Sequence, residues 1–339
     1  MNRNLGAVAL VAVLVLAGFG AWYASSPPPG PLEPLAVGNL PYEYSGLVFI
    51  ADEQGFFARN GLNVTFTDYV STVASVKGME KNETAIALTT EFSIVTEAFD
   101  GQQIDVIGTI DRYQAVSLLC RRDRGIENVS DLRGRRIGAS HGTIGEFYLG
   151  RFLELHGIPP VAVTLVDLPT SQYVDAVANG SVDAVVVVQR YLEEGRQRLG
   201  SAQVAWPIQS GQQGYVALAC RDDWAASHPE TIEKFLGSLK LAGEYVVSNP
   251  SEARAIVQRR VEYTDATMDA IWSDHLFSLS LDQSFVAAMQ DEARWMIANN
   301  LTNATAVPDF TRYISTRGLA AVDPPAVRII GVPAGGRAP

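Results

Sequence analysis

GLVFIADEQGFFARNGLNV, residues 46–64, carries the decision on the fold. Ser45 stands where a helix N-cap belongs, an apolar run follows to Arg59, and Gly61 stands where a helix C-terminus closes in the left-handed conformation. From Asn63 to Tyr69 apolar and polar residues alternate, the period of a half-buried strand. Leu35–Asn39 reads as a strand just upstream, so the unit is strand–helix–strand. Working outward, Ser71–Met79 reads as a helix, Ala85–Leu88 as a strand, Glu91–Asp100 as a helix closed near Gly101, and Ile104–Thr109 as a strand. A βαβαβαβ order predicts a parallel sheet covered by helices.

The plan recurs downstream. Arg136–Ala139 reads as a strand and Ile144–His156 as a helix, stopped by Gly157, Pro159 and Pro160. Val161–Val166 is a strand, Ser171–Asn179 a helix with Gly180 behind it, and Ala184–Val188 a buried strand. Two look-alike segments, Ser117–Asp123 and Ala217–Asp223, each run apolar, then Cys120 or Cys220, then charge. They predict that the chain crosses into a second lobe and returns, and two crossings make a hinge with a cleft beside it. Helices follow: one from Pro229, one from Asn249–Pro250 to Arg260, then Thr264–His275 and Asp282–Asn299. The expected fold class is α/β, two doubly wound lobes joined by a two-crossing hinge, with added C-terminal helices. Lobe one is expected over 35–115 with 220–321, lobe two over 116–219, and a flexible Pro/Gly-rich tail over 322–339.

The chain has 339 residues, 26 basic and 37 acidic, a net charge of −11. That balance excludes a nucleic-acid binder, which needs a basic footprint. Two cysteines exclude a disulfide scaffold. The four histidines, His141, His156, His228 and His275, are dispersed, so no metal site or other cofactor is expected. The glycines between Gly138 and Gly145 are not spaced as GxGxxG and no P-loop lysine follows. No catalytic constellation is identifiable. Cys120 and Cys220 occupy matching places, and the pair either bridges and restrains the hinge or lies beyond bridging distance.

Leu5–Tyr23 carries no charge, Arg3 precedes it, and no basic residue follows before Arg59. The positive-inside bias places the body outside the membrane, with the apolar run either a retained anchor or a cleaved signal peptide. Ala24–Pro34 is a Pro-rich spacer. Asn-x-Ser/Thr occurs at Asn63, Asn82, Asn128, Asn179, Asn300 and Asn303. Glycan acceptors on an exported surface explain that frequency, and so does the shared preference of Asn, Ser and Thr for turns and caps.

In open α/β sheets ligands sit beyond the carboxyl ends of the strands, where helix N-termini offer free N–H groups. That rule selects Tyr42, Glu43, Tyr44 and Ser45 after the first strand, Ser71 and Thr72 after the second, Thr89, Thr90 and Glu91 after the third, and Asp111 after the fourth. In lobe two it selects Ser140, His141, Gly142 and Thr143, then Thr170 and Ser171, then Gln189 and Arg190. Ser140–Thr143 has two hydroxyls and a glycine at a helix start, suited to a carboxylate, sulfonate or phosphate, or to plain capping. Arg190 ends an apolar strand and suits an anion. Trp272 belongs either to the core or to the cleft. Glu43, Glu91 and Asp111 disfavour a lone inorganic anion and favour a small organic or zwitterionic solute.

Three stretches resemble one family: residues 46–64, Val129–Gly138 (VSDLRGRRIG) and Asn179–Ala184 (NGSVDA). In order and spacing, over about residues 35–315, the chain resembles solute-binding proteins of ABC importers in the nitrate, sulfonate, taurine and thiamine-pyrimidine-precursor group. The resemblance implies a hinged periplasmic-binding fold and a monomeric receptor that delivers a solute to a membrane permease and its ATPase. A related enzyme class makes the thiamine pyrimidine and carries a Cys-rich run, from which this chain departs. That enzyme and a ligand-sensing ectodomain are the alternatives.

Overall fold

Strand β1 (Glu33–Asn39) ends at the buried Leu40, and the chain turns through Glu43–Ser45 into helix Gly46–Glu53. The single helix expected to Arg59 breaks at Gly55, whose φ of 66° forces a kink before Phe56–Arg59. In the computed structural model, residues 31–330 and 332 are described. The expected anchor, spacer to residue 30 and most of the tail beyond residue 330 lie outside them. No helix among the described residues is long and apolar enough to cross a membrane.

The first sheet has the order β12-β11-β4-β10-β3-β1-β2, with β2 (Leu62–Asp68), β3 (Ile86–Thr90), β4 (Ile104–Tyr113), β10 (Gly214–Arg221), β11 (His275–Asp282) and β12 (Val327–Arg328). The second has the order β7-β6-β8-β5-β9, with β5 (Val116–Arg121), β6 (Arg136–Ala139), β7 (Thr164–Asp167), β8 (Ala184–Val188) and β9 (Gln203–Pro207). The two-lobed α/β plan is therefore present. β1 pairs parallel with β2 and β3, and β6 with β7 and β8, as a wound βαβ order requires. Both sheets are mixed rather than parallel throughout. β10 inserts antiparallel between β3 and β4, because a chain returning from the other lobe enters from the opposite end.

Strand β8, AVVVV, shows why each sheet needs helices on both faces. Ala184 and Val186 join the large core while Val185 and Val187 join a smaller one with Tyr173, Val177 and Leu192. Adjacent residues of a strand point to opposite faces, so an unbroken apolar strand demands two covers.

Three further expectations are corrected. Residues 214–219, expected in lobe two, pair with β3 and β4 of the first sheet, so the return crossing falls at 208–213 and the outward one at 114–115. The helix expected to His275 ends at Ile271, and His275–Asp282 is a strand whose apolar–polar alternation pairs with β4. The tail is ordered as far as residue 330: Val327–Arg328 pairs with Leu281–Asp282, and Ala326 and Ile329 are buried. Of the two readings left open for Cys120 and Cys220, the structure shows the unbridged one: they are separate buried free thiols, one in each sheet.

Gln209 ties the two crossings together. Its side-chain oxygen accepts from Val116 N at 2.9 Å, and its amide nitrogen donates to Tyr113 O at 3.0 Å and Gln212 O at 3.1 Å.

Candidate functional site

The strand ends of the first lobe assemble a buried polar chain. Asp111, near the end of β4, lies with its Oδ2 2.6 Å from His275 Nδ1, and His275 Nε2 lies 3.7 Å from Glu43 Oε1. The hydroxyl of Tyr263 donates to Glu43 Oε2 at 2.9 Å. All four side chains are nearly sealed from solvent. Burial pushes the Asp111 carboxyl up to about 6, against the pull of the adjacent imidazole. For His275 burial pushes downward, but the carboxylates of Asp111 and Glu43 outweigh it and the imidazole is raised. Burial and the Glu43 charge raise the Tyr263 phenol, keeping it a donor.

An aromatic row runs beside this chain. Ring centroids are 5.3 Å apart for Tyr42–Tyr44, 6.2 Å for Tyr44–Tyr113, 6.2 Å for Tyr113–His275 and 5.5 Å for His275–Phe277, and Trp272 closes the row 5.0 Å from Phe277. Gly46 permits this, since a Cβ there would come within 2.7 Å of the Phe277 ring. Trp272 is thus half-buried against the aromatic row.

The second lobe brings Arg190 onto this surface. Its guanidinium lies 5.2 Å from the Tyr263 ring centre and 5.4 Å from that of Tyr191, with Tyr42 nearby. Among the described residues no carboxylate forms an ion pair with it. An exposed, tyrosine-flanked guanidinium without an acidic partner is a ready anion receptor. Thr170 lies beside the Tyr42 hydroxyl from the same lobe.

The structure disperses other expected residues. The Ser140–Thr143 loop is occupied by its own protein. Gly142 N donates to Glu146 Oε2 at 2.8 Å, and that carboxylate fills the place expected for a ligand anion. The Ser140 hydroxyl donates to Leu168 O and the Thr143 hydroxyl to Ser140 O, both at 2.8 Å, while His141 faces solvent with its Nδ1 near Glu146. Ser45 donates to Leu40 O, Ser71 caps its helix by accepting from Ala74 N, and Thr72 Oγ1 accepts from Ser93. Thr90 is buried at a helix N-cap, Thr89 Oγ1 is buried without a partner, and Ser171 is exposed in the turn Thr170–Gln172. Gln189 opens the helix that carries Arg190. All six sequon asparagines are exposed.

Glu91 is fully buried at the first position of helix Glu91–Phe99, and its Oε2 accepts from Tyr215 N at 3.0 Å. Tyr263, His275, Tyr113, Tyr191 and Gln209 escape the strand-end rule. The Gln/Ser/Gly-rich run at 209–214 around Gln209 is the one sequence signal among them.

Two α/β lobes, joined by two short crossings and meeting over charged and aromatic strand ends, define the class of hinged ligand-binding proteins. The sequence profile of the NMT1/THI5-like family matches residues 43–253, and the chain belongs to that family. It is 22% identical over 233 residues to a putative thiamine biosynthesis protein of Haemophilus influenzae, covering 68% of this chain and 74% of the relative. It is 25% identical over 237 residues to a putative aliphatic sulfonates-binding protein of Bacillus subtilis, covering 68% and 70%. The alkanesulfonate-binding protein SsuA of Xanthomonas axonopodis, solved with MOPS bound, superposes with a TM-score of 0.70 at 15% identity, covering 84% of this chain and 97% of that one.

Proposed function

We propose that the protein is an extracytoplasmic solute-binding protein that captures a small organic solute between its lobes and delivers it to the permease and ATPase of an ABC importer. The observation that carries this reading is Arg190. It comes from lobe two, lacks a carboxylate partner among the described residues, and faces Tyr42 and Tyr263 of lobe one. A ligand anion seated there bonds to both lobes at once and so favours their closed arrangement. The naming of relatives for sulfonates and thiamine biosynthesis supports a sulfonate-like or aminopyrimidine-like solute.

The pyrimidine-synthase alternative has less support. Burial raises both thiols well above the ordinary cysteine range, so neither is a nucleophile at neutral pH. The apolar Leu5–Tyr23 run places the body outside the membrane, as an anchor or a signal, and the exposed sequons are available to glycosylation there.

Calorimetric titration with ethanesulfonate, 2-aminoethanesulfonate and an aminopyrimidine tests the reading. The expected result is saturable binding of at least one compound near one per chain, weakened at least tenfold by Arg190→Ala. Absence of binding by all three, or turnover of any, overturns it.

A further inference from the structure

The described asparagines fall into two groups. Asn63, Asn82, Asn128, Asn179, Asn300 and Asn303, each opening an Asn-x-Ser/Thr triplet, are all exposed. Asn39, Asn60, Asn249 and Asn299, which open none, are all buried or half-buried. Three of these commit their amide nitrogen to the protein. Asn39 Nδ2 donates to Asp68 at 2.6 Å, Asn60 Nδ2 to Ser238 Oγ at 2.9 Å and Asn299 Nδ2 to Trp295 O at 3.0 Å. Asn82 and Asn179 do the reverse. Asn82 Oδ1 accepts from the Arg221 guanidinium, and Asn179 Oδ1 accepts from Ser181 N at 2.8 Å and Ser181 Oγ at 2.6 Å. The protein holds their oxygens and leaves the nitrogen, the atom a glycan is joined to, to solvent. A preference for turns and caps does not sort the two groups. Asn60, Asn249 and Asn299 stand at helix ends without a triplet, and Asn63 carries one inside strand β2.

The triplets also share an end of the fold. β1, β2 and β3 run parallel, as do β6, β7 and β8, so each lobe has one edge of strand starts and one of strand ends. Glu43, Glu91 and Arg190 stand just past strand ends. Asn63 lies at the start of β2, and Asn82, Asn128 and Asn179 lie in the segments that lead into β3, β6 and β8. The five residues of β8 alone set about 16 Å between Asn179 and Arg190. Arg124 Nη1 donates to Gly180 O at 2.9 Å, which ties the segment holding Asn128 to the Asn179 turn. Asn179 is the best-formed acceptor of the six. It ends helix Tyr173–Asn179, Gly180 turns the chain away with a φ of 81°, and the exposed Ser181 hydroxyl bonds to its carboxamide. The two side chains that define the triplet therefore sit together on one open turn. The Asn82 triplet is the opposite case, because its third residue, Thr84, is buried and closed to an enzyme acting on the folded chain.

We propose that the protein carries N-linked glycans on the edge of its lobes remote from the cleft, with Asn179 the principal acceptor on the folded chain. This rests on the extracytoplasmic reading above and deepens it, by assigning the modified residue and the surface it covers. The donor is a glycan linked to a polyprenyl phosphate. Nδ2 of Asn179 attacks its anomeric carbon, and a C–N bond forms as the C–O bond to phosphate breaks. The polyprenyl phosphate leaves with the electron pair, and one amide proton passes to a base of the transferase. A bulky, solubilising group at that edge leaves the strand ends bare, so capture of the solute and its transfer out of the cleft are unobstructed.

Glycopeptide mass spectrometry of the full chain purified from its native host, with the cell fraction that holds it recorded, tests the proposal. Expected is a sugar mass on the Asn179 peptide in most molecules, and on the Asn82 peptide in few. Asn179→Gln and Ser181→Ala should each abolish the Asn179 addition, the second while keeping the asparagine. The solute affinity of the glycosylated chain and of Asn179→Gln should agree within about twofold. If a variant does not fold, the peptide masses of the unaltered chain still decide occupancy. An unmodified Asn179 peptide from an exported chain that binds solute overturns the glycan proposal and leaves the receptor standing. Heavier occupancy at Asn82 than at Asn179, or a glycan that weakens solute binding about tenfold, overturns the assignment to Asn179 and its edge. An unmodified chain confined to the cytoplasm overturns both the proposal and the extracytoplasmic reading.

Discussion

Tyr263→Phe removes one oxygen and keeps the ring. The Tyr263 hydroxyl donates to Glu43 Oε2 at 2.9 Å, and both side chains are almost fully buried. A hydrogen bond to a charged group contributes about 1.5–3 kcal/mol, and leaving a buried acceptor without its donor costs in the same range, so the variant should lose about 2 kcal/mol. For a chain of this size that corresponds to a fall in Tm of about 3 °C. The ring under Arg190, 5.2 Å from the guanidinium, stays, so the ring contact between lobes persists while the hydroxyl's interaction with Arg190 is lost with the oxygen. A double-mutant cycle isolates the bond: in a Glu43→Gln background Tyr263→Phe should cost clearly less, with a coupling of about 1–2 kcal/mol. Denaturant unfolding followed by far-UV circular dichroism measures all four proteins. A Tyr263→Phe variant within about 0.5 kcal/mol of the parent, or an additive cycle, refutes the claim that the buried chain holds Glu43 in place.

Other outcomes follow from the same geometry. Glu91 at about 8, Glu97 at about 7 and Asp111 at about 6 all bind protons more tightly folded than unfolded, so unfolding free energy should fall as pH rises from about 4 to 8. Glu91→Gln should flatten that slope above pH 4.5, and melting curves between pH 5 and 8.5 check it. Gln209→Ala removes three bonds that fasten the crossings and should cost about 2–4 kcal/mol, read by denaturant unfolding. Alkylation of the protein unfolded without reductant should label two thiols per chain by intact mass, since Cys120 and Cys220 lie in different sheets.

How far the sequence reaches depends on whether a feature is local. Gly61, Gly101 and Gly180 follow helices beside strands with plain periodicity, and those helices are present, the first broken at Gly55 and the last starting at Tyr173 rather than Ser171. β10 and β11 are different. ALACR reads as a strand, but nothing nearby tells which lobe it returns to; pairing with β3 and β4 decides that. HLFSLSLD alternates, yet a preceding helical run made it look like a helix end.

The site divides along the same line. Strand-end residues Glu43, Glu91, Asp111 and Arg190 are legible because topology fixes where strands point. Their partners are not: His275 meets Asp111 across 164 positions and Tyr263 meets Glu43 across 220. The Ser140–Thr143 loop misled for a physical reason, since Glu146, one turn into its own helix, supplies the anion the N–H groups attract.

Capture between two lobes is the central claim, and amide hydrogen exchange tests it most directly. The full chain is compared with and without saturating 2-aminoethanesulfonate, or whichever titrated compound binds most tightly. The account expects slowed exchange together in residues 42–45 and 89–93 of lobe one, 189–192 of lobe two and the crossing 208–213. Protection confined to one lobe, or found only away from these strand ends, would contradict it.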